Sequence, residues 1–192
     1  GNAGRYDLFV GKYDAAGNRL WLRQRGTTER EYAFGVAADP SGNIYVTGYT
    51  GGDLDGNSHI GAIGGGNWDV FLTKFDAAGN WQWTKQDGTT QADEGRAVCT
   101  DHFGKIYITG YVRGDFHGIT RVGTADVFIS KYDPAGNRLW SVLCGSTAVD
   151  DGLGIACDAS GNVFVTGDCS ESIEGNIYLA NGDNFLVKYD TN

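Results

Sequence analysis

The sequence has no methionine, only two prolines and three histidines, and fewer basic than acidic residues, 15 against 24. Without methionine, residue 1 is not a translation start, so a processed chain or a piece of a longer one is expected. The net charge of −9 argues against non-specific binding to nucleic acid or anionic membranes, which needs a basic face. No apolar run approaches the roughly 18 residues of a membrane span, and the N-terminus shows no charged-then-apolar signal pattern. Nucleic-acid binding and membrane insertion are therefore not expected. The three histidines, His59, His102 and His117, fall in loop or turn segments. No G-x-S-x-G, H-E-x-x-H or P-loop phrase occurs, so catalysis has a thin inventory. Four cysteines (Cys99, Cys144, Cys157, Cys169) lack C-x-x-C spacing, which removes zinc-ribbon and c-type haem readings.

What is present is repetition. Asp7-Leu8-Phe9-Val10-Gly11-Lys12-Tyr13-Asp14 returns as Asp69-Val70-Phe71-Leu72-Thr73-Lys74-Phe75-Asp76 and as Asp126-Val127-Phe128-Ile129-Ser130-Lys131-Tyr132-Asp133. A fourth, truncated copy begins at Asn184. The starts near 7, 69, 126 and 184 lie 62, 57 and 58 residues apart. Such a period with strand-like patterning marks a propeller or solenoid, whose units hide their faces against one another. Residues 1–192 thus read as a single repeat-built segment.

In the second copy the strand-like runs are Asp69–Asp76, Trp81–Gln86, Glu94–Asp101 and Lys105–Gly110. Val70-Phe71-Leu72 and Ile106-Tyr107-Ile108 are apolar on both alternating positions, as in strands buried on two faces. Turns at 14–18, 76–80 and 133–137 join the first run to the second, and turns at 39–43, 101–105 and 158–162 join the third to the fourth. Each has Asp first and Gly three later, the chemistry of a type I turn closed by a left-handed glycine. Pro40 and Pro134 take the second place, where a fixed φ near −65° fits. Trp21, Trp83 and Trp140 recur at one position and read as packing residues.

The phrases D-x-F-x-x-K-Y-D-x-x-G-N-x-x-W and G-x-A-x-D-x-x-G-N-x-Y-V-T-G resemble the bacterial SBBP-type β-propeller repeat family over nearly the whole chain. The turn His102-Phe103-Gly104-Lys105 departs from that pattern. The resemblance implies four-stranded antiparallel blades in extracellular or cell-surface proteins without a defined activity. It also implies that the G-x-A-x-D run is the inner strand that begins each blade. The fold expected is all-β: the outer half of one blade, two full blades and three strands of another. About three blades cannot close a ring, since propellers need roughly four to eight. The segment is then an open arc or part of a larger ring. The partners expected are further blades of the same polypeptide, favoured because the fourth copy breaks off, or another protein chain.

Candidate sites lie in the long segments between units. Asp53, Asp55 and Asn57 alternate oxygen side chains as at the start of a calcium loop; calcium is the one cofactor with a candidate site. What recurs, however, is an apolar residue followed two later by glycine (Leu54/Gly56, Phe116/Gly118, Ile173/Gly175), which reads better as a tucked plug. Glu31, Asp93 and Asp150 each precede a turn Asp by eight residues and could ring the channel mouth or accept hydrogen bonds within their own loops. Trp68 and Trp81 do not recur and are candidate platforms for carbohydrate or a partner. Cys99 and Cys157 read as small buried hydrophobes. Cys144 ends an outer strand and Cys169 a second strand at the same face of neighbouring blades, which makes them the disulfide candidates.

The function expected is a non-catalytic extracellular binding or structural module of a bacterial surface protein. The alternative is a fragment of a propeller enzyme acting on glycans or a quinone-linked substrate. The D-x-x-G-N-x-x-W phrase is similar to quinoprotein repeats too, but their A-x-D-x-x-T-G form is missing.

Overall fold

A computed structural model describes residues 4–173 and 182–190. Four antiparallel sheets follow one another along the chain. The first pairs β1 (Leu8–Tyr13) with β2 (Arg19–Arg25). The second runs β3 (Glu31–Ala38), β4 (Ile44–Thr50), β5 (Asp69–Phe75), β6 (Trp81–Asp87) in spatial order. The third repeats that order with β7 (Glu94–Thr100), β8 (Ile106–Val112), β9 (Asp126–Tyr132) and β10 (Arg138–Cys144). The fourth holds β11 (Asp150–Cys157), β12 (Val163–Cys169) and β13 (Asp183–Tyr189). Apart from a single 3₁₀ turn at Leu54–Gly56, the described residues are strand and loop. This is a β-propeller-like segment, with sheets of two, four, four and three strands.

Three cores lie between successive sheets. Leu8 and Val10 meet Ile44, Val46 and Phe71; Tyr45 and Leu72 meet Val98, Ile108 and Phe128; Tyr107 and Ile129 meet Val163 and Val165. Side chains alternate across a strand, so β4 sends Ile44 and Val46 one way and Tyr45 the other. The runs that are apolar on both positions are thus buried on both faces. β3 packs on β7 and β7 on β11, so the sheets approach most closely along their first strands and fan outward from there.

All six Asp-to-Gly turns close as their residues dictate. In each, the glycine N–H donates to the Asp carbonyl, as from Gly79 to Asp76 at 2.9 Å, and glycine φ lies between +77° and +84°. The Asp carboxylate accepts the amides two and four residues on, and in five turns the Asn side chain too, as Asn80 Nδ2 to Asp76 Oδ2 at 2.9 Å. That Asn side chain is the main reason Asp14, Asp76, Asp133 and Asp158 are held below the usual carboxylate range. Where Lys105 replaces Asn, the Tyr107 hydroxyl still donates to Asp101 at 3.2 Å, as the Tyr45 hydroxyl does to Asp39 at 3.1 Å beside Asn43.

The cysteines differ from the expectation. The disulfide joins Cys99 to Cys157, with Cα atoms 6.2 Å apart; Cys144 and Cys169 are buried and remain outside it, and the Cys169 thiol donates to the Asp183 carbonyl at 3.3 Å. The reason is parity. Cys99 stands two before its turn residue Asp101, whereas Cys157 stands one before Asp158. A one-residue offset sends a strand side chain to the opposite face. Cys99 on β7 therefore faces forward, Cys157 on β11 faces back, and the two meet where these first strands pack.

Candidate binding surface on the innermost strands

Each first strand carries the same irregularity. The pairing of β3 with β4 skips between Ala33 and Gly35, that of β7 with β8 between Gly95 and Ala97, and that of β11 with β12 between Gly152 and Gly154. The skipped residues, Phe34, Arg96 and Leu153, have no partner across the ladder. A bulge re-aims a side chain and often lies beside a functional site. It also crowds the facing strand: a Cβ at Gly48 or Gly110 would fall 1.8 Å from the carbonyl oxygen of Tyr32 or Glu94. The glycine of the repeated T-G phrase is what admits the bulge.

The bulge is constant and its occupant is not. Phenylalanine, arginine and leucine hold equivalent places, and two residues earlier stand Tyr32, Glu94 and Asp151. Arg96 lies at the centre. Its guanidinium pairs with Glu94 at 3.0 Å and with Asp151 of the next sheet at 3.1 Å. It also lies 4.9 Å from the ring of Phe34, from the previous sheet, and 5.5 Å from Tyr111. The Tyr111 hydroxyl donates to Glu94 at 2.8 Å; burial, then this bond, pushes the phenol up. Burial likewise pushes Asp151 up, against the pull of Arg96. One side chain thus couples three sheets at their inner edge.

Trp68 belongs to the neighbouring aromatic run. Its ring lies 5.1 Å from Tyr49, Tyr49 5.1 Å from Tyr32, and Tyr32 5.2 Å from Tyr6. Burial pushes the Tyr49 phenol up to about 12. Phe34 and Tyr6 stay 46% and 51% exposed, so the run continues to the surface. Trp81 is elsewhere. It opens β6, its Nε1 donates to Thr84 at 3.0 Å, and the Arg25 guanidinium covers its ring at 4.4 Å.

Glu31, Asp93 and Asp150 are each buried and accept hydrogen bonds from backbone amides, of their own loop and, for Asp93 and Asp150, of the loop after the second strand as well. Glu31 takes the Thr27 amide at 2.8 Å, Asp93 the Arg113 amide at 2.8 Å and the Thr89 amide, Asp150 the Ser146 amide at 2.6 Å. A Thr or Ser four residues earlier is the partner in every case, a pattern visible in the sequence. Burial pushes Asp93 up to about 6.

Asp53, Asp55 and Asn57 spend their polar atoms in different directions. Asp53 accepts the His59 amide at 2.7 Å, Asp55 pairs with Arg25, and Asn57 donates to the Leu54 carbonyl at 2.8 Å. Leu54, Phe116 and Ile173 are buried, as tucked plugs should be; Glu174, Gly175 and Asn176 lie outside the described residues. Among the described residues, no group of three or more His, Cys, Asp or Glu side chains is placed to hold a metal ion.

The inner edge therefore offers aromatic faces and a neutralised arginine cluster, a surface suited to contact. Phe34, Arg96 and Leu153 escaped the sequence reading because only the strand register shows which residue a bulge expels.

Two curated proteins are similar to this chain. A WD repeat-containing protein of Acanthamoeba polyphaga mimivirus is 27% identical over 195 residues, 86% of this chain and 14% of that protein. Regulatory protein FlaEY of Caulobacter vibrioides is 32% identical over 142 residues, 70% of this chain and 15% of that protein. The chain spans only 14% and 15% of the length of these relatives. Residues 20–55, from β2 to the loop after β4, match the family model of the SBBP beta-propeller repeat. Together with four antiparallel sheets built on one recurring phrase, this match shows that the chain carries an SBBP β-propeller repeat.

Proposed function

We propose that this segment is a non-catalytic binding or structural module of a bacterial extracellular or cell-surface protein. The observation that carries the reading is the split between a constant frame and a variable inner edge. Turns, glycines and core positions repeat, while Phe34, Arg96 and Leu153 differ at one shared bulge. Repeat scaffolds use such variable positions for recognition. The names of the two relatives, a WD repeat-containing protein and a regulatory protein, agree with contact rather than chemistry. The Cys99–Cys157 bond supports an oxidising compartment. Further blades of the same polypeptide or another protein chain are the partners of the end sheets, and carbohydrate stacking on the aromatic run at Trp68 is the small-ligand counterpart.

Two measurements test this. A membrane-impermeant lysine reagent should modify the chain in intact cells as fully as in lysates; labelling confined to lysates overturns the compartment. Phe34→Ala combined with Arg96→Ala should abolish partner or surface retention of the parent polypeptide while its fold, followed by circular dichroism, persists. Unchanged retention would remove the inner edge as the binding surface.

A further inference from the structure

The long loops after β4 and β8 are built alike and anchored by different chemistry. In each, the residue after the buried plug takes a left-handed backbone, Asp55 with φ 55° and His117 with φ 54°. In each, that residue reaches back to the last residue of the preceding sheet's outer strand. Asp55 pairs with Arg25, which ends β2. His117 Nε2 lies 2.8 Å from Oδ2 of Asp87, which ends β6. The cation has changed sides, and it has changed kind. A guanidinium stays charged throughout the neutral range; an imidazole gains or loses its charge between about pH 5 and 8.

The surroundings make that change felt. The His117 and Asp87 side chains are only 18% and 24% exposed, and Asp87 has no other cationic partner among the described residues. Its Oδ1 accepts the Gly88 amide at 3.0 Å. Asp69, on the neighbouring β5, is raised by burial first and also by the Asp87 charge. Tyr132, from β9, is pushed up by burial first and then by Asp87, with Arg138 from β10 pulling the other way. The other histidine near Asp69 is His59, whose Nε2 lies 3.9 Å from Asp69 Oδ1. The loop of His117 itself carries Arg113, Asp115 and Arg121; Asp115 accepts the Arg121 amide at 3.1 Å. A protonated His117 neutralises Asp87 and donates a charge-assisted hydrogen bond, about twice as strong as a neutral one. After the proton leaves, at most a neutral N–H donor remains, and Asp87 stands uncompensated beside Asp69. The tie is therefore tight at low pH and weakens as pH rises.

We propose that His117 and Asp87 form a proton-operated latch. Closed at mildly acidic pH, it holds the loop after β8 against the outer edge of the preceding sheet. It loosens as pH rises through the histidine range, while the Arg25–Asp55 tie stays closed. Through Gly114, Asp115 and Arg121 the latched loop forms one wall of a cleft of about 540 Å³, whose other wall is Thr89, Thr90 and Gln91. The latch thus sets the width of that cleft.

The two loops supply their own internal comparison, because each has one equivalent amide bonded across the plug. The Ile119 amide donates to the Phe116 carbonyl and the Asn57 amide to the Leu54 carbonyl, both at 3.0 Å. Hydrogen exchange of the parent polypeptide, resolved to these two amides, should be followed between about pH 5 and 8. Protection at Ile119, taken relative to Asn57, should fall about fivefold as the charged bond becomes a neutral one. The ratio cancels the intrinsic pH dependence of exchange and any change in global stability. In Asp87→Asn the ratio should stay at its low, alkaline value at every pH. In His59→Gln the fall should persist, since that imidazole faces Asp69. A ratio independent of pH in the wild-type protein overturns the latch. So does a fall that survives Asp87→Asn or disappears in His59→Gln.

Discussion

The two central sheets and the two end sheets are written in the same words and live in different surroundings. Phe71 and Phe128 are fully buried; Phe9, at the same place in the phrase, is 68% exposed. Leu72 and Ile129 are 1% and 0% exposed; Leu186, their equivalent, is 73% exposed. The same place in the repeat therefore does not carry the same stabilisation. A repeat residue contributes what its neighbour lets it bury.

The sharpest way to break this comparison is truncation at the shared position. Phe128→Ala should cost about 3–5 kcal/mol, as for a well-packed core aromatic. Phe9→Ala should stay within about 0.5 kcal/mol. Chemical denaturation measures both; equal losses would show that the ends are as well packed as the centre.

The disulfide ties an end sheet to a central one, β11 to β7. Cys99→Ser or reduction should cost about 2–4 kcal/mol for a loop of this size. Native-state hydrogen exchange should then show β11–β13 losing protection before β3–β6. Uniform loss across all sheets would mean the bond stabilises the segment as one unit.

A smaller effect distinguishes the buried loop carboxylates. Asp93 has its folded value raised from 3.8 to about 6, chiefly by burial. The folded chain therefore holds a proton that the unfolded chain has released. The stability this confers is fully present below the unfolded value and is lost as pH rises through about 6. Burial raises Asp69, Asp150 and Asp151 too, so their contributions have the same sign. Relative to Asp93→Asn, the wild-type chain should lose on the order of 2 kcal/mol between about pH 4 and 7. A pH-independent difference between the two proteins would place the burial cost elsewhere.

Much of this was readable before any coordinates. The Asp-to-Gly spacing fixes each hairpin locally, because an Asp carboxylate, two amides and a left-handed glycine are all within five residues. Apolar residues on both strand positions require two neighbouring sheets, and hence a stack. The disulfide was legible too, through the one-residue offset of Cys99 and Cys157 from their turns, a signal easily passed over in favour of the strand-end cysteines Cys144 and Cys169. Glu31, Asp93 and Asp150 had their Thr or Ser partner four residues away in plain view. Trp68 and Trp81 looked alike as unrepeated tryptophans, yet one joins the inner aromatic run and the other lies under Arg25.

By itself, then, the sequence determined the strands, the turns and the order in which sheets follow one another, because each depends on interactions within a few residues or on strict alternation. Only the tertiary structure decided which residues the bulges expel, that Arg96 joins Phe34, Glu94 and Asp151, and that Phe9 and Leu186 face outward while their equivalents are buried. Those outcomes depend on strand register and on what stands beside each sheet, and neither is written in any one repeat.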